Sequence, residues 1–494
     1  MTSTAGKSEV YGRIVLEPAY RQAQAHLLDP MIAIHKAHLI MLRRQGLIGE
    51  LDANKLAEAL LAVDREHYRK GAYTGEFEDL FFEMEHELLS SAGDAAGNLH
   101  IGRSRNDMGI ALYRMVLREK ILQTIDSALG LYRSLLTFAA EHVDTIYIAL
   151  THTQQAQPTT IAHYASAVAY FIERDIKRLQ SSYDSCNVSS LGAAALTTSG
   201  YPLDREFVAR LLGFSGIIEN SYDAVSGADY AGEAAAAAQI AAVNAGRFVQ
   251  DLLQWCTQEF GVLCLADDFV QISSIMPQKR NPVALEHARS LLSSCKGNAQ
   301  TVFAMIHNTP YGDIVDTEDD MQPYVWKSLE TLEAVYRLLA AIIASASVDR
   351  EALSRRAKTS FATVTELADT LVRTEGLSFR KAHEVTSKVA ALGAKEAKSV
   401  QDITLREVND AALETVGRKL QLTDEQLERA LDPEHFVRIR SLPGGPSPRE
   451  VGRALADQEQ RRQTLQQWHD ERLGTIRNAA MQLDHILASW LAMA

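Results

Sequence analysis

Apolar residues recur through most of the chain at the three- and four-residue spacing of an amphipathic helix. Leu56 and Leu60 follow a candidate N-cap at Asp52, and Leu367 and Leu371 repeat the pattern far downstream. This spacing puts the apolar side chains on one face of a helix. The pattern therefore predicts helices that bury one face against their neighbours.

Proline, which helix interiors exclude, marks where these helices end. It is absent from three long intervals, 31–157, 203–276 and 324–432. Strand-like alternation bounded by hairpin signals is scarce. We therefore predict an all-α fold with long helices.

Shorter patterns refine this picture. The alanine-rich segment 231–246 favours a helix and allows close approach by its neighbours, which suits the centre of a bundle. Thr404 with Glu407, and Thr423 with Gln426, have the spacing of capping boxes at the starts of shorter helices.

Composition narrows the class of protein. The 494 residues are 46% hydrophobic, enough for one large core or several domains. The net charge is −13 and the basic residues are scattered, which disfavours a nucleic-acid or membrane-surface footprint. An anionic substrate would therefore need a local basic pocket.

Cysteine usage and the apolar stretches predict a cytoplasmic protein. The four cysteines form no CxxC pair and are too few to staple the chain, which indicates free thiols rather than disulfides or zinc. The segment 1–10 lacks the apolar core of a signal peptide, and no apolar stretch is long enough to cross a bilayer.

Candidate chemistry lies in three segments. The first, 273–282, reads SSIMPQKRNP; its prolines, hydroxyls and cations disfavour a helix and suit a loop whose amides, Lys279 and Asn281 bind an oxyanion. The second, 151–158, reads THTQQAQP and holds His152. A polar surface loop and a structural histidine are the alternatives for these two segments.

The third segment, 100–107, reads HIGRSRND. Arg105 offers a planar guanidinium to a carboxylate, and Asn106 offers an amide to its other oxygen, as a dicarboxylate substrate requires. A charged helix start is the alternative. The pair His35 and His38, separated by two residues, is predicted to lie on a helix surface rather than to bind a metal.

The three segments resemble the signature segments of the aspartase/fumarase superfamily, which includes fumarase, aspartase, adenylosuccinate lyase and argininosuccinate lyase. The form of the third segment, with SLGAAAL at 190–196 and FRKAH at 379–383, is similar to the argininosuccinate lyase branch. The resemblance extends over roughly 30–455. It implies an all-α fold with a central bundle of long helices.

The resemblance also implies roles for individual residues. Ser273 is expected to be the catalytic base on a mobile loop, and His152 is expected to be oriented by Glu286, thirteen residues after that serine. A histidine–carboxylate pair fixes the tautomer and holds positive charge near the site. Further substrate contacts are expected from Arg103, Ser104, Arg105, Asn106, Thr151, Ser274, Met276, Lys279, Asn281 and Tyr311. No metal and no cofactor is expected.

The expected organisation has three domains: an N-terminal helical domain over 1–106, a central helical bundle over 107–355 and a C-terminal helical domain over 356–494. The resemblance implies a homotetramer with a multi-helix core, whose active sites take the three segments from three subunits. Ile272 stands where the family usually has glycine, so loop mobility is expected to differ.

The implied reaction is β-elimination of fumarate from an N-substituted L-aspartate. The branch holds the rest of its substrate with Tyr-Asn-Lys/Arg-Asp-Leu-Gln-Glu-Asp-Lys, whereas residues 311–319 read YGDIVDTED and keep Tyr311 without the glutamine and the final lysine. His35 replaces a serine, and the acidic stretch 316–320 replaces the lysine.

We therefore expect an aminopolycarboxylate substrate such as ethylenediamine-N,N′-disuccinate (EDDS), with a distal carboxylate meeting His35. Argininosuccinate is the alternative substrate. A non-catalytic protein of the lens crystallin type is a remote alternative, which loss of the serine, histidine or glutamate would mark; all three are present.

Overall fold

Helices dominate the computed structural model, which describes residues 8–493. Residues 1–7 and 494 lie outside the described residues, and with them part of the domain 1–106 and most of the segment judged to lack a signal-peptide core. The chain is 73% helical, which confirms the all-α prediction.

Twenty α-helices follow one another along the described chain. They are α1 (Glu9–Tyr11), α2 (Glu17–Gln22), α3 (Leu28–Arg44), α4 (Glu50–Ala62), α5 (Arg65–Lys70), α6 (Leu80–Ala92), α7 (Arg105–Glu141), α8 (Ile161–Cys186), α9 (Arg205–Leu211), α10 (Ser221–Ser226), α11 (Asp229–Trp255), α12 (Val283–Ile306), α13 (Gln322–Ser345), α14 (Arg350–Thr359), α15 (Val364–Glu375), α16 (Phe379–Lys395), α17 (Leu405–Val416), α18 (Asp424–Leu431), α19 (Pro433–Arg438) and α20 (Pro448–Met493).

Short helical turns and strands connect them. The 3₁₀ turns are Gly93–His100, Asp267–Phe269, Phe361–Thr363 and Val400–Asp402, and the π-helical turns are Gly12–Leu16, Ala23–Leu27 and Asp316–Asp320. The strands are β1 (Ile146–Thr151), β2 (Gln154–Thr160), β3 (Leu263–Cys264), β4 (Gln271–Ile272), β5 (Arg280–Asn281) and β6 (Ser347–Val348). They form three two-stranded sheets, β1 with β2, β3 with β6 and β4 with β5.

A bundle of long helices forms the middle of the molecule. Helices α7, α8, α11, α12 and α13 pack against one another, and α20 packs against α3, α4, α7 and α8. Helix α7 buries residues around most of its circumference, as expected of a central helix. The alanine-rich segment lies in α11 and buries many of its alanines, which confirms its predicted place in the bundle.

Among the described residues, two hydrophobic cores are much larger than the other two buried clusters. The larger is continuous from the N-terminal helices through the bundle to Leu487 in α20. The smaller lies among α15 to α18, from Leu367 to Leu431. The last helix thus packs on the bundle rather than on the smaller core. The three-domain division stays a proposal.

Helix starts were predicted with mixed success. The capping boxes at Thr404 and Thr423 are present and are confirmed. The N-cap prediction at Asp52 is wrong, because α4 begins earlier, at Glu50, with Gly49 as its N-cap. Asp52 lies inside the first turn, where a negative charge is favoured by the helix dipole.

Candidate active site

A short β-ladder closes the base of the loop that carries Ser273. Strand β4 pairs antiparallel with β5, so the chain leaves the ladder at Ser273 and returns after Lys279. Within the loop, the Lys279 N–H donates to the carbonyl of Met276 at 3.0 Å, which forms a turn with Pro277 at its second position. The loop is thus fixed at its ends, while Ser274, Met276 and Lys279 remain exposed.

Ile272, which replaces the family's usual glycine, lies in this ladder opposite Arg280 and is 66% exposed. Arg280 anchors the returning strand: its guanidinium donates to Asp267 at 2.6 Å and to the carbonyl of Leu265 at 2.9 Å. The side chain of Ile272 therefore points largely to solvent, and the loop does not have to bury it.

The hydroxyl oxygen of Ser273 already accepts hydrogen bonds from its own loop. The backbone N–H groups of Met276 and Ile275 lie 3.2 and 3.4 Å from it. Donors aimed at an oxygen favour its ionised form. This geometry suits a serine that acts as a base. Glu286 lies in the first turn of α12 and is exposed, and Asn281 is half-buried at the end of the ladder.

His152 lies at the tip of the β1–β2 hairpin. Thr151 and Gln154 face each other as the last pair of the ladder, so His152 and Thr153 form the two-residue turn. Both turn residues have left-handed backbones, with φ of 52° and 62°. Residues other than glycine rarely adopt this backbone conformation, and it is least favourable for a β-branched residue such as threonine. The strained tip presents His152 to solvent, which is consistent with a functional role.

The third segment is a capped helix start. The Ser104 side chain accepts from the Asn106 N–H, while the Ser104 N–H donates to Asp107 at 2.9 Å. Buried Asp107 also accepts from the N–H groups of Gly192 and Ala194, at 2.8 and 3.1 Å. Burial raises the pKa of Asp107 to about 6 despite these bonds. The helix start is therefore real, and it holds Arg105 and Asn106 in the first turn of α7.

Both side chains of that turn have acidic partners. The Arg105 guanidinium lies 3.1 Å from Asp79 and 4.8 Å from the ring centre of Phe82. The Asn106 amide donates to Asp313 at 2.5 Å. Neither Asp79 nor Asp313 was predicted to be here. Asp79 is the N-cap of α6, a position that propensity alone could have marked.

Arg103 lies beneath the turn, against two buried histidines. It is 8% exposed and donates to Nδ1 of His35 at 3.1 Å. His35 is 2% exposed and His38 is 5% exposed, so the helix-surface prediction for this pair is wrong: their face of α3 packs inward. Burial, and then the charge of Arg103, lowers the pKa of His35 well below its usual value and that of His38 to about 3.

Of these three buried residues, His35 and His38 are neutral and Arg103 carries a positive charge. Burial lowers the pKa of the Arg103 guanidinium to about 10. Because Nδ1 of His35 accepts from Arg103, its proton is on Nε2. Among the described residues, neither that Nε2 nor Nη2 of Arg103 has a hydrogen-bond partner.

Tyr311 is 60% exposed and stacks against Tyr222, with ring centres 6.1 Å apart. Its hydroxyl donates to Asp223. That hydrogen bond is the main reason why the pKa of Tyr311 rises to about 12.

The acidic segment after Tyr311 packs on the start of α7. Besides Asp313 on Asn106, Asp319 accepts from the Tyr113 hydroxyl. Glu318 approaches α7 where Gly109 leaves room: a Cβ at Gly109 would lie 2.5 Å from Oε1 of Glu318. Burial, and then a hydrogen bond to Asp313, raises the pKa of Glu318 to about 9.

The structure brings some predicted site residues together and leaves others apart. Arg103, Ser104, Arg105 and Asn106 share one turn, and the Tyr311 segment reaches it through Asp313. Within residues 8–493, no hydrogen bond or ion pair joins His152 to Glu286, or either of them to Ser273.

Three further observations concern metal ions, membranes and thiols. No group of three or more histidine, cysteine, aspartate or glutamate side chains in the described part of the chain is arranged to hold a metal ion. Nor is any described helix long and apolar enough to cross a membrane. All four cysteines are free thiols.

Comparisons with known proteins show which family the chain resembles. A family model described as lyase matches residues 76–297, and one described as argininosuccinate lyase C-terminal matches 361–438. Argininosuccinate lyase 2 of Agrobacterium fabrum is 40% identical over 456 residues, 90% of this chain and 89% of the relative. Argininosuccinate lyase 1 of Shouchella clausii is 33% identical, covering 97% of this chain and 96% of its own.

Among solved structures, an EDDS lyase variant with bound fumarate superposes with a TM-score of 0.88 at 27% identity, over 99% of this chain and 98% of that one. A class II fumarase from Schistosoma mansoni shares the fold, with a TM-score of 0.68 at 15% identity over 87% and 93% of the two chains.

The helical fold and these matches define a lyase. The chain belongs to the aspartase/fumarase superfamily, in its argininosuccinate lyase branch. It is a carbon–nitrogen lyase that releases fumarate, so the alternative of a non-catalytic structural protein falls away.

Proposed function

We propose that this lyase eliminates fumarate from an N-substituted L-aspartate of the aminopolycarboxylate type, with EDDS as the first substrate to test. One observation carries the proposal. The segment that follows Tyr311 places Asp313 and Glu318 against the turn of Arg105 and Asn106, and residues 311–320 contain no basic side chain.

The succinyl half of the substrate determines the chemistry. Arg105, Asn106, Lys279 and Asn281 supply the cations and amides that two carboxylates need. Ser273 removes the Cβ proton, which places a second negative charge on the neighbouring carboxylate. Donors fixed before the reaction stabilise such a charge by ~3 to 4 kcal/mol each in oxyanion holes. Thr151, Ser274 and Met276 are proposed to line the same half of the site.

His152 and Glu286 are proposed to work as a pair. The carboxylate would orient the imidazole and stabilise its protonated form, which adds positive charge next to the dianion. Because no hydrogen bond or ion pair joins the two residues within the described part of one chain, we propose that the pair forms between subunits.

The amine half of the pocket is acidic. A protonated amine 4 Å from a carboxylate gains ~4 kcal/mol at an effective dielectric of 20, so Asp313 favours a cationic amine. Distal carboxylates of an aminopolycarboxylate would have to lie away from this segment. The unpartnered Nη2 of Arg103 and Nε2 of His35 are the donors proposed to meet one of them.

Argininosuccinate is the second candidate substrate. The names of the relatives at 33 to 40% identity favour it, as does the retained Tyr311. Against it, the α-carboxylate of the arginine half would find no lysine in the segment 311–320.

A homotetramer is proposed for the assembly. Helices α11 and α12, which pack against each other, expose Ile240, Val243, Leu291 and Phe303, each between 42 and 46% exposed. Large exposed apolar side chains of this kind are typical of a surface that a second copy covers. A cytoplasmic location and metal-free catalysis are proposed with it.

The substrate proposal is tested by running the reaction in reverse. The enzyme is incubated with fumarate and a panel of amines, and the adducts are identified by mass. Ethylenediamine or another diamine should form an N-substituted aspartate faster than arginine does. Addition of arginine alone would replace the proposal with the second candidate.

A further inference from the structure

Helix α10 holds a second aromatic ring against Tyr311. Tyr222, in the first turn of α10, stacks on Tyr311 with ring centres 6.1 Å apart and ring planes 17° apart. The next residue, Asp223, accepts a hydrogen bond from the Tyr311 hydroxyl. Two neighbours on one helix thus hold Tyr311 by its ring and by its hydroxyl. Tyr311 is 60% exposed and Tyr222 is 45% exposed, so both rings keep part of their surface open to a ligand.

The start of α10 is firmly anchored. The Asn220 side chain caps the helix by accepting from the backbone N–H groups of Tyr222 and Asp223, at 2.9 and 3.2 Å. The Ser221 hydroxyl donates to the carbonyl of Leu196 at 2.8 Å. The buried side chains of α10 pack against the same segment of chain that contains Leu196. The backbone that carries Tyr222 is therefore fixed to that segment.

That segment leads to the turn proposed to hold the succinyl half. Two of its backbone N–H groups donate to buried Asp107, at 2.8 and 3.1 Å, and Asp107 belongs to the capping box of that turn. From the other side, Asp313, two residues after Tyr311, accepts from the Asn106 amide at 2.5 Å. The contacts thus form a closed ring, from α7 to α10, on to Tyr311 and back to α7. This ring places Tyr222 on the amine side of the proposed pocket.

Gly312 leaves room beside Tyr222. The family branch has asparagine after the tyrosine, whereas this chain has Gly312. A Cβ at Gly312 would lie 4.0 Å from the Tyr222 hydroxyl, so a longer side chain at this position would occupy space next to the ring. Asp223 and Asp313 add negative charge near the two rings. Aromatic ring faces attract cations, so this surface suits a flexible, positively charged amine.

We propose that Tyr222 is a specificity-determining residue for the leaving amine. It positions Tyr311 and adds its own ring face to the surface on which the amine packs. The amine class is an alkyl diamine, of which one nitrogen bonds to the aspartate carbon while the other, as an ammonium, lies against the rings. This rests on the proposed function, since it requires Arg105 and Asn106 to hold the succinyl half.

The test measures addition of ethylenediamine to fumarate at a mildly alkaline pH, where one nitrogen is free and the other is protonated. Tyr222→Leu should raise the KM for ethylenediamine by about 2- to 30-fold, the range of cation–π interactions. The KM for fumarate and kcat should change little, because the succinyl half is untouched. Tyr222→Phe, which keeps the ring, should stay near wild type. The matched control is Phe379→Leu, since Phe379 is an exposed ring on α16, outside the proposed site.

Two further measurements separate recognition of the amine from a purely structural role. Ethanolamine has the same chain length with a hydroxyl in place of the ammonium, so its KM should respond much less to Tyr222→Leu. Gly312→Asn leaves Tyr222 in place and fills the space beside it, and should also raise the KM for ethylenediamine. If Tyr222→Leu did not fold, Gly312→Asn would decide in the same way.

An unchanged KM for ethylenediamine in Tyr222→Leu would overturn the inference and leave the proposed function intact. Equal increases in KM for fumarate, ethanolamine and ethylenediamine would do the same, because they would indicate a general distortion of the site. Wild-type enzyme that adds no alkyl amine to fumarate would overturn the proposed function, and the inference with it.

Discussion

Replacing Ser273 with alanine should separate catalysis from stability. Its hydroxyl accepts two backbone hydrogen bonds, at 3.2 and 3.4 Å, inside a loop that is mostly exposed. Water can satisfy the freed N–H groups, so the free energy of unfolding should change by about 1 kcal/mol or less. Loss of a general base lowers turnover by ~10²- to 10⁴-fold, which corresponds to ~3 to 5 kcal/mol of transition-state stabilisation.

The assay follows fumarate absorbance for turnover and thermal unfolding for stability. The matched control is Ser378→Ala, since Ser378 is also exposed, its hydroxyl accepts the backbone N–H of Lys381 at 3.4 Å, and it lies outside the proposed site. We expect Ser273→Ala to lose its rate at an unchanged melting temperature and Ser378→Ala to keep its rate. If Ser273→Ala turned over at a near-normal rate, Ser273 would not be the base.

Three further predictions concern the rest of the site. Glu286→Gln should lower kcat clearly but less than Ser273→Ala, because the histidine keeps its place and loses only its charged partner; wild-type kinetics would make the thirteen-residue spacing a coincidence. Mixed tetramers of Ser273→Ala and His152→Asn should recover about a quarter of wild-type activity, since two residues from different subunits are both intact in one site of four; verified mixed tetramers without activity would place both residues in one subunit. Finally, the pKa of Glu318 is raised from 4.5 to about 9 in the folded protein, so its contribution to stability is full below pH 4.5 and is lost as pH rises through 9. The melting temperature of wild type, relative to that of Glu318→Gln, should therefore fall between these pH values. A difference in melting temperature that does not change with pH would refute the raised pKa.

Local sequence signals were enough for the helices and for the motifs. Helical spacing, long proline-free intervals and capping boxes depend on neighbours a few residues apart, so α7, α11 and the starts at Thr404 and Thr423 could be predicted. The same signals failed at Asp52, because helix starts a few residues apart differ little in free energy, and α4 begins at Glu50.

Contacts across long stretches of sequence could not be predicted. Asn106 meets Asp313 across 207 positions, and Arg103 meets His35 across 68. Periodicity gives no partner for a polar side chain, which is why His35 and His38 were assigned to a surface although their helix face is buried. The acidic character of residues 316–320 was visible in the sequence, but not that Glu318 would press on Gly109.

The pocket is proposed to release fumarate by elimination and to hold the leaving amine on an acidic side. Initial rates of fumarate formation from EDDS and from argininosuccinate, measured side by side at equal concentrations, test it most directly. The acidic segment around Asp313 and Glu318, without a lysine, predicts that EDDS reacts faster. A wide margin in favour of argininosuccinate would contradict the account and make this lyase an argininosuccinate lyase with an unusual pocket.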